Sequence, residues 1–86
     1  MYLNHLDYEQ DMLQHVLCYT VTEFLGCAKY RVTEYGTFDT ALRDFNLWKD
    51  ADPSRRLLIY AVCQPPNRPL TVSLPIPQDW YGKLAS

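Results

Sequence analysis

The residue types best suited to metal or acid–base chemistry lie within the first 15 positions: His5, Asp7, Glu9, Asp11 and His15. On a helix Asp7 and Asp11 share a face at i and i+4, and His15 continues the row. A carboxylate–carboxylate–histidine row can hold a divalent ion. A solvated acidic helix face has the same pattern, however, and the sharper His-Glu-x-x-His spacing does not occur, so no metal or other cofactor is expected. Cys18, Cys27 and Cys63 are the candidate nucleophiles. Thiol catalysis needs a histidine within hydrogen-bond reach and a group that lowers the thiol pKa. The two histidines both precede the first strand-like segment, and buried, inert thiols are the simpler reading. Three glycines cannot supply a phosphate-cradling loop or a nucleophile elbow, and no zinc-type cysteine pairs are present. Catalysis is not expected.

Two residue sets suit binding instead. The acids Asp7, Glu9 and Asp11, together with Trp80 and Tyr81 beyond the last strand, suit contact with a protein, because aromatic anchors bury much area at little entropy cost. The Trp-Tyr pair either stands out as an anchor or folds back over the sheet. A small core needs its aromatics, which favours folding back. The second set, Lys29, Arg31, Arg55 and Arg56, is interleaved with Tyr30, Tyr35 and Tyr60, a combination that single-stranded nucleic-acid surfaces use. The bland alternative places Tyr30 and Tyr60 in the core and leaves the bases to solubilise the surface. Ten acids against eight bases, a net charge of -2, weigh against a dedicated nucleic-acid binder. The charge is unevenly spread: residues 1–28 hold Asp7, Glu9, Asp11 and Glu23 but no Lys or Arg.

The elements that position these residues follow from hydrophobic period. Residues 1–15 read as a short helix or arm, with Leu3, Leu6 and Leu13 near helical spacing and Asn4 as a cap. From Val16 the period becomes two, with Leu17, Tyr19 and Val21 alternating against Cys18, Thr20 and Thr22. A second alternating run sets Ala28, Tyr30 and Val32 against Lys29, Arg31 and Thr33. The two runs predict a hairpin turning near Leu25–Cys27, with Lys29 and Arg31 on its outer face. Phe38, Ala41, Leu42, Phe45 and Trp48 then recur at helical spacing, from an N-cap at Thr37 to a stop before Pro53. Leu57–Cys63 is apolar throughout and reads as a central strand. Leu70, Val72, Leu74 and Ile76 alternate with polar residues, and Pro75 and Pro77 suit an exposed edge.

With 86 residues the chain is expected to be a single α+β domain: a β-β-α-β-β core over 16–77, preceded by the 1–15 segment and followed by a 78–86 tail. A right-handed crossover allows the strand orders 2-1-3-4 and 1-2-3-4. The first is preferred, because it makes every neighbour antiparallel and buries Leu57–Cys63. Its second strand would be an edge without proline, open to homodimer formation. An odd cysteine count, short apolar runs and no basic–apolar leader predict a cytoplasmic chain with reduced thiols and no membrane span. In size and character the chain is similar to small inhibitors encoded by phages and mobile elements, of which anti-CRISPR proteins are an example. A non-catalytic protein-binding module that occupies a surface of a larger protein is therefore the expected function. A small nucleic-acid-associated regulator using the basic set is the alternative.

Overall fold

The computed structural model of the chain describes residues 13–84. A short 3-10 turn, Leu13–His15, leads into β1 (Val16–Gly26) and β2 (Lys29–Tyr35). The helix α1 (Phe38–Ala51) follows, then β3 (Arg56–Cys63) and β4 (Val72–Pro75). A 3-10 turn at Gln78–Trp80 and a helical turn at Tyr81–Leu84 complete the described chain. The strands form one sheet in the order β2-β1-β3-β4, with every neighbouring pair antiparallel. This is the α+β architecture and the strand order that the period of the sequence favours. The helix expected over residues 1–15 lies outside the described residues except for its last three.

The helix α1 forms where its pattern predicts. Thr37 is extended, and its Oγ1 accepts the Thr40 amide at 3.2 Å, which satisfies one of the free N–H groups of the first turn. Phe38, Ala41 and Phe45 are buried against the sheet, with Leu42 and Trp48 packed at the margin. At the other end Asp52 takes extended geometry ahead of Pro53, and its amide bonds to the Trp48 carbonyl at 3.0 Å. From the sheet, Val21, Leu57, Ile59, Ala61 and Cys63 meet this helix. One face of the sheet is thus covered, and the alternation of β3 buries every second residue from Leu57 to Cys63.

The hairpin departs from expectation at its turn. Cys27 and Ala28 form the connection with φ of 50° and 61°, the left-handed conformation of a type I′ turn, which Asn-Gly adopts far more readily. Register then slips between Phe24 and Gly26, leaving Leu25 as a bulge. That one extra residue decides which way β2 faces. Glu23 pairs with Arg31, Val21 with Thr33 and Tyr19 with Tyr35, so these β2 residues lie on the helix side. Tyr30 and Val32 point away from the helix and are 65% and 51% exposed. The expectation of Tyr30 in the core with Lys29 and Arg31 on the outer face is therefore reversed. Replacing Ala28 with Gly should stabilise the fold by about 1 kcal/mol, because alanine bears a steric cost at this φ. Thermal unfolding should shift upward by roughly 4–8 °C.

The tail closes the other edge. β4 pairs only with Tyr60–Cys63, and Pro75 stands opposite Tyr60. Beyond it the Ile76 amide donates to the Ile59 carbonyl at 2.9 Å, and the Ile59 amide donates to Tyr81 Oη at 3.1 Å. A side chain thus replaces the missing strand. Trp80 and Tyr81 are 7% and 8% exposed, and Tyr81 packs edge-on against Phe38 and Phe45 at centroid distances of 5.7 and 5.3 Å. Of the two fates open to this aromatic pair the structure shows folding back. Neither ring is available as a surface anchor.

Candidate protein-binding surface

The sheet face opposite α1 carries the candidate surface. Thr20 and Thr22 of β1 form its floor and are almost fully buried. Their burial follows from register: Thr20 lies between Glu34 and Tyr60, and Thr22 between Val32 and Leu58. Phe24, Tyr30 and Val32 rise at the β1–β2 side, where each is exposed. Tyr60 and Val62 of β3 stand half-buried across from them, with Ser73 of β4 at the far margin. Together they line a shallow groove of about 490 Å³. The exposed hairpin end adds Leu25 next to Phe24. By strand alternation Glu34 and Arg56 are the charges on this face among the described residues, and Arg56 stands opposite Phe24. The face is therefore apolar with hydroxyl groups set into it and carries little net charge.

On the helix side Glu23, Lys49, Asp52 and Arg55 are engaged within the chain. Arg55 grips Glu23 through two bonds, Nε to Oε2 at 2.8 Å and Nη2 to Oε1 at 2.7 Å. Its guanidinium also lies 5.2 Å from the centroid of the Trp48 ring. The Arg55 hydrogen bonds hold the Glu23 carboxyl below its ordinary range, against the opposing effect of burial. Lys49 Nζ donates to the Arg55 carbonyl at 2.6 Å, and Asp52 Oδ1 accepts both the amide and the hydroxyl of Ser54. These bonds fix the connection between α1 and β3. Tyr35, desolvated and donating to Asp44 Oδ2 at 2.7 Å, has its pKa pushed up to about 12 and ties β2 to α1.

The basic set is thus divided. Arg55 is committed to Glu23 and Trp48, Arg31 borders the same pocket, and Arg56 lies on the opposite face. Lys29 sits at the hairpin end. Asp7, Glu9 and Asp11 lie outside the described residues, as does His5. Burial pushes the Cys63 thiol above its ordinary pKa, and Cys18 is raised as well, chiefly by desolvation. Among the described residues no group of three or more His, Cys, Asp or Glu side chains is arranged to hold a metal ion. No helix among them is long and apolar enough to cross a membrane.

Sequence period alone misses Phe24, Tyr30, Val32 and Val62 as surface residues, because each sits in a run that reads as core. The signal that could have found Tyr30 and Val32 is Gly26 next to a short turn, a common mark of a bulge that reverses the facing of the next strand. Comparison of the chain with family models, with curated proteins and with solved structures finds no match.

Proposed function

We propose that this chain is a cytoplasmic, non-catalytic protein-binding module that acts by occupying a surface of a larger protein, and that the open sheet face makes the contact. One observation carries the reading: Phe24, Tyr30 and Val32 are exposed together beside half-buried Tyr60 and Val62, with no element of the described chain over them. Aromatic and aliphatic side chains grouped on one face are the usual material of a binding hot spot. The chemistry of the face selects an apolar protein segment carrying a few hydrogen-bonding groups that can reach the threonine and tyrosine hydroxyls. A phosphate backbone would meet a single arginine there, on a face that also carries a glutamate. Such a module works by stoichiometric occupancy, as an inhibitor or adaptor does.

The test is capture on immobilised protein from the native host's extract. Wild type and a Leu47→Ser control, altered on the exposed side of α1, should retain the same partner, and a Phe24→Ser/Tyr60→Gln variant should lose it. Equal retention by all three would remove the open face from the account. Capture that disappears with nuclease and falls steeply with salt would instead favour the nucleic-acid reading.

A further inference from the structure

The two edges of the sheet are guarded unequally. β4 is four residues long, ends in Pro75, and gives way to the tail that completes the edge of β3. β2 is seven residues long, contains no proline, and is exposed along most of its length. Among the described residues its outward backbone groups have no partner strand, and it carries Tyr30 and Val32 more than half exposed. An edge with these properties is a template for strand addition.

We propose that β2 pairs antiparallel with β2 of a second copy, about a two-fold axis at Val32, to give a continuous eight-stranded sheet. The register follows from facing. Directly opposed residues of an antiparallel pair project to the same side, so the axis must pass through a residue opposite itself. Centring on Arg31 would oppose two like charges, and centring on Thr33 would set Val32 against a glutamate. Centring on Val32 buries valine on valine and places Tyr30 opposite Glu34 of the second copy, where a phenol can donate to a carboxylate. On the helix side Lys29 falls opposite the second copy's Tyr35, and Arg31 lies diagonal to it. That tyrosine donates to Asp44, so both cations of β2 approach an acidic group on the other chain. The pairing also joins the two open faces into one surface twice as wide. It does not depend on the proposed function, because it concerns the purified chain alone.

Sedimentation of the full chain at about 100 µM should give a dimer; a monomer at that concentration overturns the proposal. Val32→Lys sets two ammonium groups on the axis and should weaken dimerisation by at least about tenfold, with unchanged circular dichroism because Val32 is half exposed in the monomer. A folded Val32→Lys chain that still sediments as wild type would show that the edge is not the interface. The register has its own test in a Cys27→Ser background, which removes the exposed native thiol. Opposed antiparallel residues have Cα atoms about 4.5–5.5 Å apart, within disulfide range, so Val32→Cys should cross-link when glutathione disulfide is supplied. Cross-linking through Thr33→Cys in place of Val32→Cys would overturn the assigned register.

Discussion

Tyr81→Ala is expected to lower the unfolding free energy by about 4 kcal/mol, as a fall in the urea midpoint at nearly constant slope. Two losses combine. The ring is 8% exposed and sits between Phe38 and Phe45, so its removal leaves a cavity at the junction of tail, helix and sheet. Its hydroxyl also accepts the Ile59 amide, which lies at a position where β4 has already turned away. Tyr81→Phe separates the two: it keeps the ring and leaves that amide without its acceptor, and should cost about 1–2 kcal/mol. A domain of this length is held by roughly 4–13 kcal/mol, so the alanine variant loses a large part of its stability. If both variants unfold at the wild-type midpoint, the tail contributes nothing to the core.

Glu23→Gln should cost about 2 kcal/mol and flatten the acid side of the stability profile. Glu23 is nearly buried, and removing its charge leaves the Arg55 guanidinium facing a neutral amide that cannot accept both bonds. The folded-state pKa of Glu23 is depressed, so its contribution is fully present above the ordinary glutamate value of about 4.3. It is lost as pH falls through the lower folded value. Asp52 is shifted in the same direction, chiefly by its Ser54 bond, so the wild-type profile contains both groups. The difference between wild type and Glu23→Gln isolates the ion pair and should shrink toward zero in that acidic window. Arg55→Met should cost a similar amount, and the double variant less than the two singles together. Strictly additive costs would mean that Glu23 and Arg55 act separately.

The architecture was legible where one physical rule acted alone. Helical spacing from Phe38 to Trp48, the Thr37 cap and the Pro53 stop define α1, and the apolar run Leu57–Cys63 demands a central place in the sheet. The facing of β2 was not legible, because two rules competed. Its alternation puts Tyr30 and Val32 on the apolar side, but the Leu25 bulge shifts the register by one and gives that side to Arg31 and Thr33. The interior then compensates through Glu23, the partner strand's acid beside Arg31 and the ligand of Arg55. The surface read from composition changed accordingly. Trp80 and Tyr81 went to the core, where a chain this short uses them, and the exposed aromatics came from a hairpin that reads as interior. The link from Tyr81 to Ile59 was beyond any local rule, since it depends on where β4 stops.

The geometry of the β1–β2 turn also bears on the order of folding. A hairpin closed by Asn-Gly can nucleate by itself within microseconds, whereas Cys27 and Ala28 must both enter a disfavoured region before any rung of the ladder forms. The other partner of β1 is β3, whose pairings join Phe24 to Arg56 and Val16 to Cys63, roughly thirty to fifty positions apart along the chain. Neither neighbour of the central strand offers an easy local start. The early step falls to α1, which has its own cap and amphipathic face, and β1 acquires its partners as it docks against that helix. The turn is thus imposed late by the rest of the molecule, and an Asn-Gly replacement there should slow unfolding more than it speeds refolding.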